Sequence, residues 1–408
     1  MRLLLLTPQP PYPAHQGTAI RNWGILRHLS AHHAVSLLSF APPNQSVPAA
    51  ELAAACASIE FVPLPRHGLG ARMRTLATGR ADLADRLWSP AFNEALQRIL
   101  RASQFDLIQI EGLELAGYLS TVQRCSPATP VIYDAHNAEI SIQQRAWDSD
   151  HRTFRRWPAA LYSKLQVPRL ARLEAAVCRQ ANAVTCVSEV DAAALSALVA
   201  GLRPVVIANG LDLANYPWPP PDASAPPILT FTGKMDYRPN VDAALWFADE
   251  ILPLIRLRAP SAHFEIVGQK PAPALAGLAG RQGVSVVGAV PDVRPHIIRG
   301  AVYVAPLRMG GGTRFKLLEA MALGRPVVTT TIGAEGFAVQ SGREVLIADS
   351  PTAFADQVLQ ILADPTLANR LSLAGRQFVE ARYDWASIIP RLESLQQQLV
   401  AGRAALVV

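Results

Sequence analysis

The sequence predicts an α/β protein built of two doubly wound parallel-sheet domains in tandem. Three observations carry this expectation: short apolar runs without strict alternation of polarity, helix-period stretches between them, and a proline-rich segment after which the same pattern starts again. In the first half the runs are RLLLLT, AVSLLSF, IEFVPL, FDLIQI, PVIYDAH and NAVTCVS. Between them lie stretches such as AIRNWGILRHLS and NEALQRILRAS, whose apolar residues recur at helical spacing. The second half repeats this with PILTFTG, HFEIVG, VSVVGAV, AVYVAPL, RPVVTTT and EVLIAD, separated by helices such as NVDAALWFADEILPLIR.

Between the halves stands YPWPPPDASAPP, whose prolines cannot join a central strand and favour an extended connector. The expected organisation is a first domain over 1–215, the connector over 216–227 and a second domain over 228–385. A terminal helix over 386–408, started or interrupted by Pro390, is expected to pack back toward the first domain. A chain of 408 residues, half of them apolar, can bury such cores.

Several function classes drop out. The opening apolar run is only four leucines before Thr7 and Pro8, short of the roughly 7–15 apolar residues of a secretory core. Charges and prolines break every longer candidate before the roughly 18 residues that a membrane-spanning helix needs. Cys56, Cys125, Cys178 and Cys186 form no CxxC pair and have no histidines at zinc spacing, so neither a disulfide framework nor a structural metal is indicated. A cytoplasmic location is expected. The net charge of +6 is clustered: between Arg145 and Arg179 eight basic residues face only Asp148, Asp150 and Glu174. With Trp147, Trp157, Leu161 and Tyr162 interleaved, that segment suits an anionic membrane surface or an anionic acceptor, or else a solvated helix face. No nucleic-acid-binding module accompanies the basic clusters, TGKMDY lacks the Ser or Thr of a P-loop, and no GxGxxG marks a dinucleotide site.

The chemistry concentrates in PLRMGGGTRFKLLEAMALGRPVVTT, residues 306–330. Open parallel sheets bind ligands at the carboxyl ends of their strands, and here a strand is followed by glycines that admit close backbone approach. Thr313 is the expected N-cap of a helix starting at Arg314, whose free amides and dipole favour phosphate. Arg308, Arg314 and Lys316 add positive charge. Glu319 follows Arg314 by five residues, roughly 7 Å along a helix. That offset suits a diphosphate at the helix start with a ribose farther on, two of whose hydroxyls a carboxylate can bind. An ion pair with a neighbouring Arg or Lys is the plainer alternative. Gly324 and Pro326 end the helix.

This segment resembles the donor-site helix and following strand of the family 4 retaining glycosyltransferases, which have the GT-B fold of two facing Rossmann-like domains. FTGKMDYRPNVDAALWF, VIANGLDL, YDAHNAE and PQPPYPAHQGTAIRNWGILRHL are similar to further segments of that family, so the resemblance covers essentially the whole chain. It implies transfer of a sugar from a nucleoside diphosphate sugar to an acceptor hydroxyl with retention of anomeric configuration, in polysaccharide or glycolipid assembly. By matching position it implies catalytic roles for His136 and Lys234, with Glu319 on the donor ribose. Gly17, Arg308, Gly311, Gly312, Thr313 and Arg314 complete the expected donor site, and His15, Arg21, Trp147, Arg155 and Arg156 the acceptor or membrane side.

The implied partners are a nucleotide sugar and a polysaccharide, glycolipid or lipid-linked acceptor, with contact to the inner face of an anionic cell membrane. No cofactor and no metal are expected. Two departures stand out. The family commonly carries a second glutamate eight positions before the first, where this chain has Gly311, and a Lys-Gly pair where it reads Pro239-Asn240. Arg238, Arg308 or Arg314 are candidates to supply the missing charge. A sugar-nucleotide epimerase of the same fold and a non-catalytic sugar-nucleotide-binding protein are the competing readings.

Overall fold

The computed structural model describes residues 1–14, 17–42, 49–65, 81–150, 157–219, 226–310 and 314–406. They form two compact units, Met1–Asn209 with Ile388–Val408, and Gly210–Ser387. Among the described residues the first unit has seven strands: β1 (Arg2–Thr7), β2 (Ala34–Ala41), β3 (Ser58–Pro63), β4 (Leu107–Glu111), β5 (Val131–Ala135), β6 (Ala183–Cys186) and β7 (Val205–Val206). All pair in parallel, in the order β3-β2-β1-β4-β5-β6-β7. Every position of β4 and of β5 is buried. Helices cover both faces of the sheet, so these strands are mostly apolar and do not alternate, with Gln109, Glu111 and Asp134 as their buried polar positions.

β7 is absent from the expected strands. It is two residues long, registered through Thr185↔Val205 and Cys186↔Val206, and too short for a pattern to show. The helix Gly17–Leu29 follows β1, and burial of its Ile25, Leu26 and Leu29 contributes about 1.5–3 kcal/mol per side chain. The stacked pair Phe40 and Phe92, with ring centres 4.4 Å apart, belongs to a core cluster that includes Leu4, Leu6 and Leu38.

The second unit has β8 (Ile228–Thr232), β9 (His263–Val267), β10 (Val284–Gly288), β11 (Val302–Ala305), β12 (Val327–Thr329) and β13 (Leu346–Ile347). Among the described residues they form a parallel sheet in the order β10-β9-β8-β11-β12-β13. In each unit the strand order reverses beside the first strand, between β1 and β4 and between β8 and β11. Ligands of open α/β sheets bind at such switch points, outside the carboxyl ends of the strands.

Two glycines shape the second switch point. Gly233 follows β8 and Gly268 follows β9, and a Cβ on Gly268 would stand 1.6 Å from the Gly233 carbonyl oxygen. The obstacle is backbone, so no rotamer relieves it. On Gly233, where φ is +155°, a Cβ would stand 2.8 Å from the Lys316 ammonium.

The terminal helix runs from Trp385 to Leu406, straight through Pro390. The expected start or interruption at that proline is not observed: Asp384 accepts a bond from the Ala386 amide at the start of the helix, nearly two turns earlier. Within the first unit its Glu393 is bonded to His32 at 2.9 Å, and Gln396 donates to Gln109 at 3.2 Å. Among the described residues no helix is long and apolar enough to cross a membrane.

Candidate functional site

The carboxyl ends of β4 and β5 bring four charged side chains together. Parallel register sets Glu111 beside Asp134, and His136 follows two residues later. His136 Nε2 lies 2.9 Å from a Glu111 oxygen. Arg21, on the first helix, donates from Nε and Nη2 to the two Asp134 oxygens at 2.8 and 2.9 Å, and from Nη1 to the carbonyl of Ile207 at 2.8 Å. Thr185 donates to Asp134 at 2.6 Å. Burial opposes the charge on Asp134, but the Arg21 guanidinium outweighs it and holds the carboxyl well below the usual carboxylate range. Burial, then the charge of Asp134, pushes Glu111 up. His136 is raised as well: burial opposes its charge and the bond to Glu111 prevails.

Arg21 is therefore not on an acceptor or membrane surface. It is 2% exposed, its stem buried and its guanidinium spent on Asp134, because the fold needs a cation under two neighbouring carboxylates. His136 has no capping bond to Asp134 or Asn137. Its bond to Glu111 fixes the ring, leaving Nδ1 on the side of Gly112. Sequence reading singled out neither Glu111 nor its pairing. The available signal was that both residues close adjacent parallel strands. Nor did the sequence show a metal-ligand cluster, yet donor atoms of Glu111, Asp134 and His136 lie within 4.8 Å of one another. Both Asp134 oxygens are already held by Arg21, so the group is satisfied as an ion-pair network.

The second constellation surrounds the β8–β11 switch point. Glu319 sits in the helix Phe315–Ala322, half-buried, and accepts a bond from the Tyr216 hydroxyl at 3.2 Å. Burial pushes its carboxyl up, against the Tyr216 bond and the charge of Lys316. Among the described residues no ion pair locks it to an arginine; its bonded partner is a neutral phenol. Tyr216, at the start of the sequence-defined connector, thus belongs to the second unit's site, with the Arg294 guanidinium over its ring at 5.8 Å. The helix begins at Phe315 with Arg314 in the cap position, one residue later than expected and without a side-chain cap. It ends as the sequence suggests, with Gly324 at φ +65° and bonds from Gly324 to Met321 and from Arg325 to Ala320 closing its last turn.

The expected cations are already engaged. Arg308 lies against Asp242 through bonds of 3.1 and 2.8 Å and stacks over Trp246. Arg314 is turned toward the Ile332 carbonyl and Glu335. Lys234 is exposed on the loop after β8, 3.6 Å from Asp236. Lys316 instead reaches under that loop and donates to Asn240 at 2.6 Å, with its ammonium 4.4 Å over the Phe231 ring. Gly17 is exposed at the start of its helix, and a Cβ there would touch nothing. Trp147 is half-buried with Lys164 over its ring at 5.2 Å. His15, Arg155, Arg156, Gly311, Gly312 and Thr313 lie outside the described residues.

Comparison with known proteins agrees with this architecture. Residues 16–215 match the model of the family described as Glycosyltransferase Family 4, and residues 226–364 that of Glycosyl transferases group 1. Over 97–98% of its length the chain is similar to solved structures of sucrose-phosphate synthase from Thermosynechococcus elongatus (TM-score 0.71, 19% identity, 100% of that chain) and of Anabaena Alr3699/HepE in complex with UDP and glucose (TM-score 0.63, 15%, 99%). These likenesses define the fold class as GT-B. The chain belongs to the family 4 glycosyltransferases, whose two domain models together span most of it.

Among curated relatives, the phosphatidyl-myo-inositol mannosyltransferase of Propionibacterium freudenreichii is 30% identical over 230 residues, 52% of this chain and 55% of that one. The protein of the same name from Mycobacterium leprae is 24% identical over 88% of this chain and 86% of its own. The chain spans about half the length of the first of these relatives.

Proposed function

We propose that the protein transfers a sugar from a nucleoside diphosphate sugar to an acceptor hydroxyl, with retention at the anomeric carbon, in polysaccharide or glycolipid assembly. The observation that carries this is Glu319. A half-buried carboxyl at a sheet switch point, bonded to a neutral phenol and, among the described residues, in ion-pair contact with no arginine, suits a neutral diol such as the ribose of the donor. Such a reaction needs stabilisation of the departing diphosphate and of an oxocarbenium-like sugar. Lys234 on the exposed loop after β8 supplies charge for the first. In the first unit, the Glu111–His136 pair presents a fixed imidazole whose Nδ1 can bond a sugar or acceptor hydroxyl. Cations and helix dipole serve without a metal.

A panel of UDP- and GDP-sugars, scored by thermal shift and by release of free nucleoside diphosphate with and without chelator, tests the reading. One nucleotide class is expected to raise the melting temperature by mass action and to turn over once an acceptor is present, unaffected by chelation. Conversion of the sugar nucleotide without acceptor would make the protein an epimerase, and stabilisation without any turnover a binding protein.

The acceptor side of this proposal includes an anionic membrane. In the helix Trp157–Gln180, Leu161 and Leu165 are exposed one turn apart beside Lys164, a pairing of apolar and cationic groups that fits a lipid interface. Co-sedimentation with vesicles containing anionic lipid at low salt is expected; equal recovery in the supernatant with and without vesicles removes the membrane from the proposal.

A further inference from the structure

Lys316 stands apart from the other cations of the second unit. Its ammonium is enclosed between the Phe231 ring of β8, the Asn240 side chain and the backbone of Gly233. Its bonded partner is a neutral amide, and among the described residues no carboxylate lies within ion-pair distance. Asn240 is itself held, donating from Nδ2 to the Lys234 carbonyl at 2.9 Å, so the lysine is aimed by a fixed acceptor at the carboxyl end of the switch strand. An enclosed cation with no bonded carboxylate is costly, the charge of Glu319 on the same helix offsets this only in part, and the lysine costs the fold a side chain at Gly233 as well. Such an arrangement is retained where an anion arrives from outside.

We propose that Lys316 is the counter-cation for the diphosphate of the donor, reaching from the Glu319 helix to the place where the first turn of the helix Arg238–Trp246 carries Pro239-Asn240, and that diphosphate binding there takes up a proton. The proposal rests on the donor reading above. The other groups are arranged accordingly. On the same helix stand Arg314, turned to Ile332 and Glu335, and Glu319, bonded to Tyr216. On the neighbouring elements stand Lys234 with Asp236, and Arg308 with Asp242. These pairs leave Lys316 as the cation whose state a ligand can change. Burial, then the nearby Arg314, lowers its pKa to about 7 in the unliganded protein. A diphosphate beside it restores the charged form, so at pH 8 the lysine passes from mostly neutral to charged on binding, whereas at pH 6 it is already charged.

Titration calorimetry with UDP and with GDP at pH 8, in two buffers of different ionisation heat, reads this directly. The terminal phosphate, with a second pKa of about 6, is fully ionised there and contributes little. Uptake of close to one proton per site is expected for the nucleotide that binds, disappearing at pH 6 and giving way to net release there, because the lysine is already charged and the half-protonated terminal phosphate loses its proton on binding. Lys316→Met is expected to abolish the uptake and weaken the diphosphate at least tenfold at pH 7 while leaving the affinity of the corresponding nucleoside unchanged. Lys316→Arg, permanently charged, is expected to keep affinity without the uptake. Wild-type binding with no proton uptake at pH 8, or a Lys316→Met variant that binds diphosphate as well as wild type, overturns the proposal and leaves the donor reading standing. Failure of both nucleotides and both nucleosides to bind the wild-type protein overturns the donor reading and the proposal with it.

Discussion

Asp134→Asn is expected to remove about 3–5 kcal/mol of stability, the range found when one partner of a buried ion pair is lost. The guanidinium of Arg21 is 2% exposed and rests on both Asp134 oxygens, the Ile207 carbonyl and the Asn209 side chain. An amide in place of the carboxylate leaves that cation buried without its counter-ion and turns two donors toward it. Within the first unit this pair ties the helix after β1 to the ends of β5 and β7, so the loss falls on the sheet's switch point. Replacing both residues, as in Arg21→Met with Asp134→Leu, is expected to recover much of the deficit. The pH dependence has a definite sign. A carboxyl held below its unfolded value contributes stability that is complete above about pH 4 and is lost only as pH falls through the folded value. Denaturant midpoints at pH 7 and in acid measure both effects; a midpoint at pH 7 unchanged by Asp134→Asn would show that the pair is not holding the unit together.

Glu319→Gln is expected to weaken both nucleoside diphosphate and free nucleoside by about 30- to 150-fold, equivalent to about 2–3 kcal/mol. The substitution preserves shape and removes charge. A carboxylate offers two acceptor oxygens to two adjacent hydroxyls, whereas an amide offers one and sets a donor where the second acceptor stood. Tyr216 holds the carboxyl from the other side. The stability of the free protein should move the opposite way, since burial raises the folded-state pKa of Glu319 and its ionisation works against folding at neutral pH. Loss of nucleoside affinity separates this variant from Lys316→Met, which spares it. An unchanged nucleoside affinity would place the ribose elsewhere.

Much of the architecture was legible because a parallel sheet covered on both faces must be apolar at nearly every strand position, as in Leu3–Leu6 of β1 and Val131–Tyr133 of β5. β7 escaped because two residues carry no period. The helix Phe315–Ala322 announced itself through local chemistry: glycines before it, Glu319 within it and Gly324 after it. Its first turn differed by a residue because Arg314 takes the cap position itself. What sequence could not show is long-range partnership. Tyr216 meets Glu319 across 103 positions, and Asp242 neutralises Arg308 across 66. Lys316 was visible only as one cation among several. Its distinction is that, among the described residues, no carboxylate lies within ion-pair distance of it, a property of the folded chain.

The first unit is discontinuous. Its last 21 residues, Ile388–Val408, follow the whole of the second unit in the chain, and through Glu393 and Gln396 they bond to His32, His33 and Gln109. A ribosome therefore releases this segment only after the whole of the second unit has been made, so the first unit cannot finish before the second has been synthesised, against the usual order in which N-terminal domains finish first. Until then the nascent β1–β7 sheet lacks its final cover, and the stretch of translation between Asn209 and Ile388 is its period of greatest exposure to chaperones.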